Sequence, residues 1–243
     1  MDLPDEYAGQ KKRLAAGTGR PAVTGEDKEL GNMDTVRVSD LPALFQGVAD
    51  IFEEQKDHLC EMDAAMGDGD LGLTMSKGYG ALPGLIKDQM QETSVAKTLM
   101  KAAMKMQGLV PSTMGTLMST GVMYGGKAVG DKPEMDAKDL AAFLEGFAAG
   151  IQKRGKCQPG DRTIYDSVSK AAEAGKKALE EGGGMKAVMD AAVEGAKEGV
   201  EATKEMTPKY GKAAVFAARA KGVEDQGAVA GMYLMEGLAR YFS

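Results

Sequence analysis

The stretch LPALFQGVADIFEEQKDHLCEMD, residues 41–63, sets the fold class of this chain. Its apolar residues return every three or four positions, the spacing that places side chains on one face of an α-helix. Ser39 or Asp40 directly precedes the stretch as a candidate N-cap. We therefore predict a helix over 41–63 with a buried face of Leu41, Leu44, Phe45, Val48, Ile51 and Phe52.

The rest of the chain also has a helical pattern. Ala, Met, Glu, Lys and Leu are plentiful, aromatic residues make up only 5%, and no stretch predicts a strand. Eight helices with short connections would form an all-α bundle or a helical barrel. The seven further predicted helices run from near Gly72 to just before Pro83, over 95–109 after a Thr93 or Ser94 cap, from Pro111 to Gly130, from Met135 to Arg154, from an Asp161 cap to Glu181, from Met185 to Glu205, and from Gln226 to Phe242.

Length and charge limit the class of protein. A chain of 243 residues can form one large domain with a sizeable core. Its 36 acidic and 30 basic residues argue against a general binder of nucleic acids or of anionic membranes. No apolar run approaches the ~20 residues of a membrane span. Because Cys60 and Cys157 form neither a disulfide framework nor a metal-binding spacing, and no signal sequence is visible, we expect a cytoplasmic protein.

The N-terminal region differs from the rest. Residues 1–35 are polar, contain Gly and Pro, and lack an apolar period. We predict a flexible tail over 1–35 and a helical domain over 36–243. Met33 as the natural start of the protein is the alternative interpretation.

An acidic, glycine-rich stretch follows the first predicted helix, MDAAMGDGDLGLTMSKGYG at 62–80. Gaps of five and two residues cannot place Asp63, Asp68 and Asp70 on one face of a helix. The glycines between them permit a turn of the chain that brings the three side chains together. Two unit charges ~4 Å apart repel by on the order of 4 kcal/mol at an effective dielectric of about 20, so a converging trio needs a cation. Carboxylates suit Mg²⁺ or Ca²⁺. The alternative is a solvated loop whose carboxylates cap the next helix.

Two later stretches begin helices. PSTMGTLMSTG at 111–121 is rich in small residues, and free N–H groups at such a helix start can hold phosphate oxygens. Simple capping by Ser112 or Thr113 is the alternative. QPGDRTIYDS at 158–167 is a turn before a helix and by itself indicates only that a helix begins there.

A basic stretch lies near the C-terminus. Residues 207–227 alternate glycines with cationic side chains, which is typical of a lid that brings positive charge to phosphates. A solvated basic loop is the alternative. The cations are Lys209, Lys212, Arg219 and Lys221.

Taken together, these segments resemble the L subunit, the nucleotide-binding domain of bacterial dihydroxyacetone kinases. The similarity runs from about Leu41 to Phe242 and rests on the order and spacing of four pieces. They are MDAAMGDGDLG (62–72), PSTMGTL (111–117), RGKCQPGDRTIYD (154–166) and YGKAAVFAARAKGVEDQGA (210–228). The resemblance implies an up-and-down antiparallel barrel of eight helices, with ADP or ATP held through two Mg²⁺ ions in the loops at one end.

The resemblance also implies the site residues. By position, Asp63, Asp68 and Asp70 match the metal ligands. The stretch that follows them along the nucleotide is matched by Leu71, Gly72, Leu73 and Thr74, and the phosphate-side loop by Ser112, Thr113 and Met114. The contacts on the adenosine side are matched by Gly155 and Ile164. The lid residue is matched by Lys212, and the closing Asp-Pro-Gly by Asp225, Gln226 and Gly227.

Four positions depart from the family pattern. Leu71 stands where the family has His, and PSTMGT replaces a glycine-rich loop. Gln226 replaces the Pro of Asp-Pro-Gly, and Lys212 replaces an Arg, giving a point charge instead of a planar fork. The metal site keeps its residues, while the phosphate loop and the lid are altered.

The resemblance implies a phosphotransferase subunit that passes a phosphoryl group to dihydroxyacetone or a related short ketose bound on a separate K subunit. The donor is either exchangeable ATP or a resident ADP recharged by a phosphotransferase-system protein. The resemblance is also compatible with a homodimer. The alternatives are a nucleotide-sensing regulatory module without turnover, the nucleotide domain of a fatty-acid kinase, and a degenerate structural bundle.

Overall fold

The computed structural model describes residues 34–210, 214–215 and 217–243. The predicted tail therefore lies, apart from Asp34 and Thr35, outside the described residues. The described part contains ten α-helices. They are α1 (Leu41–Glu54), α2 (Lys56–Met66), α3 (Leu71–Asp88), α4 (Val95–Leu109), α5 (Thr113–Val129), α6 (Ala137–Gly155), α7 (Ile164–Glu180), α8 (Met185–Ala202), α9 (Ala217–Ala220) and α10 (Gln226–Ala239).

Eight of these helices form a closed ring. The helices α1, α3, α4, α5, α6, α7, α8 and α10 each pack against the next in that order, and α10 packs back against α1. Packed neighbours in the ring follow one another along the chain, which makes it an up-and-down barrel. Most connections between them are short, but α2 lies between α1 and α3, and residues 203–225 lie between α8 and α10. The prediction of an all-α barrel of eight helices is confirmed. No helix among the described residues is long and apolar enough to cross a membrane.

The apolar faces of the ring fill its interior. Phe45, Phe52 and Phe147 are fully buried, and the Phe52 and Tyr79 rings stack with their centroids 5.0 Å apart. The predicted apolar face of the first helix is buried. All of its residues except Ile51 belong to this core, namely Leu41, Leu44, Phe45, Val48 and Phe52.

Two predicted helix boundaries are wrong. The helix over 41–63 is interrupted at Gln55, whose φ of −99° and ψ of 9° separate α1 from α2. The helix from Gly72 does not end before Pro83, since α3 continues to Asp88. Leu82 and Ile86 are fully buried on either side of the proline, so burial of the apolar face holds the helix together there.

Two further local predictions also need correction. The chain does contain strands: β1 (Val36–Arg37) pairs antiparallel with β2 (Glu134–Met135), and Val36 faces Met135. Both of these apolar side chains are buried, so the strand pair contributes them to the core. The predicted Asp161 cap is also wrong, because α7 begins after Thr163, whose hydroxyl accepts from Tyr165 N at 3.1 Å.

Candidate functional site

The predicted site segments lie at one end of the barrel. Because neighbouring helices run in opposite directions, every second connection of the ring reaches the same end. The connections 67–70, 110–112 and 156–163 and the start of α10 therefore lie at the same end. We call this end, defined by those three connections and the first residues of α10, the site end.

The acidic loop folds back on Asp63. One oxygen of this side chain, Oδ2, accepts from the N–H groups of Gly69 at 2.9 Å, Asp70 at 3.1 Å and Leu71 at 3.3 Å. Glycine is required at two points of the turn. Gly69 has a φ of +78°, and a Cβ on Gly67 would lie 2.4 Å from Asp63 Oδ1.

The turn brings three carboxylates together. Asp63, Asp68 and Asp70 each offer an oxygen, and these oxygens all lie within 4.8 Å of one another. Asp63 is buried with 8% exposure, whereas Asp68 and Asp70 are exposed. Because Asp63 Oδ2 already accepts from three N–H groups, Oδ1, which has only the long contact from Gln226 Nε2 at 3.4 Å among its hydrogen bonds to described residues, is the oxygen with more capacity for a cation. A set of three carboxylate oxygens fits a hard divalent cation such as Mg²⁺.

The residues after the acidic loop divide between core and surface. Leu71 is buried in the core, and Gly72 packs against α2, where a Cβ would lie 1.8 Å from Lys56 O. Leu73 is 58% exposed and Thr74 is partly exposed. Of the four residues 71–74, Leu73 and Thr74 can therefore offer side chains to a ligand, while Gly72 can contribute only backbone atoms.

The start of α5 borders a cavity. Ser112 is the N-cap of this helix, and its Oγ accepts from Gly115 N at 3.0 Å. The predicted phosphate-side loop and Gly155, which are far apart in sequence, meet in this cavity of about 450 Å³. Its lining residues are Pro111, Ser112, Thr113, Thr116, Leu117, Arg154 and Gly155.

The third predicted residue of the phosphate-side loop, Met114, meets α10. A Cβ built on Gly227 would lie 3.3 Å from Met114 Cε and 3.2 Å from Ile164 N. Three predicted site residues from α5, α7 and α10 thus converge on one point. The structure joins this point to the acidic loop through Gln226, whose Nε2 lies 3.4 Å from Asp63 Oδ1.

Asp225 begins α10 as a buried cap. Its Oδ2 accepts from Ala228 N at 2.9 Å, and its Oδ1 accepts from Arg162 Nη1 at 3.4 Å. Burial raises the pKa of Asp225 to about 6, although the Ala228 N–H and the Arg162 charge act in the opposite direction. This carboxyl is therefore a structural element of the site end, held away from solvent.

Sequence reasoning missed two arginines and misjudged Asp161. Arg162 pairs with Asp225, and Arg154 lines the cavity beside Gly155. Asp161 pairs with Lys209, one of the cations predicted for the lid, and the hydrogen bond from Lys209 lowers the pKa of this carboxyl. Asp161 and Arg162 follow a Pro-Gly turn within RGKCQPGDRTIYD, 154–166, and these two signals could have marked them in the sequence. Lys212 lies outside the described residues.

Comparisons with known proteins relate this chain to one family. The family model of the DAK2 domain matches residues 65–240. Human triokinase/FMN cyclase is 32% identical over 232 residues, which cover 94% of this chain and 39% of that protein. The PEP-dependent dihydroxyacetone kinase, ADP-binding subunit DhaL, of Escherichia coli is 25% identical over 78% of this chain and 90% of its own length.

A solved structure shares the fold. The dihydroxyacetone kinase from C. freundii, in complex with AMP-PNP and Mg²⁺, superposes with a TM-score of 0.60 at 19% identity over 90% of this chain and 36% of its own. The chain spans 37–39% of the mouse and human triokinase/FMN cyclases that it matches. The relatives include kinases of dihydroxyacetone and of erythrulose. On the extent of the family match, this chain belongs to the DAK2 domain family.

Proposed function

We propose that this chain binds ADP or ATP through Mg²⁺ at the site end and serves as the nucleotide-binding subunit of a kinase for dihydroxyacetone or a related short ketose. The observation that carries the proposal is the cluster of Asp63, Asp68 and Asp70, at the same barrel end as the α5 cavity. A carboxylate trio at the same barrel end as a cavity lined by a helix N-terminus suits a phosphate chain carrying divalent cations.

Each part of the site end would have its own task. Asp63 would offer Oδ1 to a metal, since its Oδ2 is already held by three N–H groups, and Asp68 and Asp70 would complete the set. Two Mg²⁺ ions, when bound, would neutralise the phosphate charge. Phosphoryl transfer needs chiefly such neutralisation and positioning, so no nucleophile is required on this chain.

The cavity would hold the other parts of the nucleotide. N–H groups of the first turn of α5 and the hydroxyls of Thr113 and Thr116 can donate to phosphate oxygens. Arg154 adds a cation at the cavity wall, and Gly155 leaves room for the adenosine side. Met114, Ile164 and Gly227 would then close the site between α5, α7 and α10.

The ketose would be bound by a separate K-type subunit, as the family resemblance implies. The name of the Escherichia coli relative describes an ADP-binding subunit of a PEP-dependent kinase, which supports both a division of labour and a phosphotransferase-system donor. Exchangeable ATP is the other donor. In either case we expect no ketose phosphorylation by this chain alone.

Reconstitution tests the transfer step. The chain is mixed with the K subunit of a bacterial dihydroxyacetone kinase, dihydroxyacetone, and either Mg·ATP or phosphoenolpyruvate with the phosphotransferase proteins. The K subunit with its own L subunit is the positive control. Dihydroxyacetone phosphate formed with one donor supports the proposal and identifies the donor. No product with either donor, while Mg·ADP still binds, would contradict the kinase role.

One observation favours a regulatory module as the second candidate. Leu71, which stands where the family has a histidine, is 5% exposed and lies in the core. It cannot contribute a polar group to the site. A chain that binds Mg·ADP and is not turned over in the reconstituted reaction would fit a nucleotide sensor that acts through a partner.

A further inference from the structure

Arg162 occupies an unusual place for a charged residue. It lies in the connection between α6 and α7 with a φ of +60°, and its side chain is 0% exposed. Both features cost free energy, because positive φ is strained for a residue with a Cβ and because a buried guanidinium loses its hydration. Arg162 is thus a cation whose burial needs compensation from the groups around it.

The guanidinium joins three elements. Its Nε donates to Thr203 O at 3.3 Å, directly after α8. Its Nη2 donates to Val223 O at 2.9 Å, just ahead of α10. Its Nη1 donates to Asp225 Oδ1 at 3.4 Å, the N-cap of α10. A side chain that begins beside α7 therefore holds the end of α8 and the start of α10 together.

Asp225 passes this restraint to the site end. Its N–H donates to Thr203 Oγ1 at 2.9 Å, and its Oδ2 caps Ala228 N, so the residue is fixed on three sides. The next residue, Gln226, approaches Asp63 Oδ1, and Gly227 lies against Ile164 and Met114. The position of α10 relative to the acidic loop thus depends on the Arg162–Asp225 pair.

We propose that Arg162 is a positioning residue for the nucleotide, acting through Asp225 to hold Gln226 and Gly227 against the acidic loop and α5. This inference rests on the proposed nucleotide site and adds a residue that does not itself contact the ligand. Lysine has three donors on one atom and cannot reproduce the fork that reaches Thr203, Val223 and Asp225 at once. The role therefore requires arginine.

The test measures nucleotide release separately from metal binding. The fluorescent analogue mant-ADP is bound with Mg²⁺, and its dissociation rate is followed by stopped flow after a chase with excess ADP. Mn²⁺ binding without nucleotide is followed by electron paramagnetic resonance. The variants are Arg162→Met, Arg162→Lys and Asp225→Asn. Leu99→Ala is the control, because Leu99 is fully buried in α4, away from the site end, and its truncation also lowers stability.

We expect mant-ADP to leave Arg162→Met about 10-fold faster than wild type, by analogy with the roughly 10- to 100-fold loss when a group that orients a metal ligand is removed. The dissociation rate of mant-ADP from Arg162→Lys should lie between the rates for wild type and Arg162→Met. The rate for Asp225→Asn should be close to that for Arg162→Met. Mn²⁺ binding should change by less than the mant-ADP release rate in all of them, because three N–H groups of the acidic loop itself hold Asp63 and Gln226 adds one long contact. Leu99→Ala should release mant-ADP at the wild-type rate.

Two different failures can be told apart. If wild type binds mant-ADP and the Arg162 and Asp225 variants release it no faster than Leu99→Ala, the positioning role is wrong. If wild type does not bind mant-ADP with Mg²⁺, the proposed nucleotide site itself is wrong. Should Arg162→Met fail to fold, Arg162→Lys and Asp225→Asn decide the question at temperatures where circular dichroism shows them folded.

Discussion

The side chain of Gln226 reaches Asp63, with 3.4 Å between Nε2 and Oδ1, although 163 positions separate the two residues in the chain. This contact joins the start of the last long helix to the loop that follows the first two. Gln226 stands where the family pattern described above has a proline, a residue whose side chain has no hydrogen-bond donor. The altered residue therefore adds a contact to the metal cluster that the family sequence cannot make.

Repulsion between the carboxylates of the acidic loop should lower the stability of the folded protein when no metal is bound. Asp70→Asn removes a like charge whose carboxylate oxygen lies within 4.8 Å of those of Asp63 and Asp68. We expect this variant in EDTA to melt at the same temperature as wild type or higher, with unchanged helix content. Thermal unfolding followed by circular dichroism measures both. A clear loss of stability in EDTA would show that the Asp70 carboxylate stabilises the fold without a metal.

Close packing of α2 against α3 should depend on one glycine. In Gly72→Ala the new methyl would lie 1.8 Å from Lys56 O, a backbone atom, so the two helices must separate. We expect the free energy of unfolding to fall by about 1–3 kcal/mol or more. Urea denaturation measures it.

The matched control for this prediction is Gly80→Ala in the same helix. Nothing lies within 4 Å of a Cβ at Gly80, so alanine there should raise stability by about 0.5–1 kcal/mol. Equal effects of the two substitutions would refute the packing argument.

The two serine caps should separate stability from binding. Ser112 caps α5 at the site end, and Ser94 caps α4 at the opposite end of the barrel. Ser112→Ala should lower stability by about 1 kcal/mol and also weaken Mg·ADP binding, because the cap orders the first turn beside the cavity. Ser94→Ala should lower stability at least as much, since Ser94 also donates to Asp131, and leave binding unchanged. Equal loss of affinity in both would indicate that general destabilisation weakens binding.

Asp225 should give stability a specific pH dependence. Its pKa is raised by burial from 3.8 to about 6 in the folded protein, so folding favours the protonated form. This contribution is fully present below about pH 3.8 and is lost as the pH rises through about 6. Relative to Asp225→Asn, wild type should therefore lose about 1–3 kcal/mol of stability between pH 4 and 7.

Urea denaturation of both proteins across that range measures the difference, and the subtraction removes the contributions of other groups. A difference that stays constant, or that grows in favour of wild type as the pH rises, would contradict the raised pKa. It would show instead that Arg162 stabilises the ionised carboxylate more than burial penalises it.

The fold class could be predicted because each helix carries its own signal. The apolar period of Leu41 to Phe52 and the Ser94 cap of α4 depend on neighbours within a few residues. The break at Gln55 and the continuation through Pro83 depend instead on packing between helices. Local propensity disfavours proline inside a helix, but the burial of Leu82 and Ile86 outweighs it.

The site could be predicted only in part for the same reason. The acidic trio has a short spacing that suggests convergence, and the structure brings the three oxygens together. The Pro-Gly turn marks the position of Arg162 but does not indicate its role, because its partners Thr203, Val223 and Asp225 lie 41 to 63 positions away. Arg154 likewise becomes a candidate only when the structure places it beside the start of α5.

The most direct test of the account is a calorimetric titration of the purified chain with ADP, in Mg²⁺ and in EDTA, repeated with Asp68→Asn combined with Asp70→Asn. We predict saturable binding by wild type in Mg²⁺, and none in EDTA or in the double variant. Binding that persists in the variant would contradict the metal assignment. No binding by wild type under either condition would contradict the nucleotide site itself.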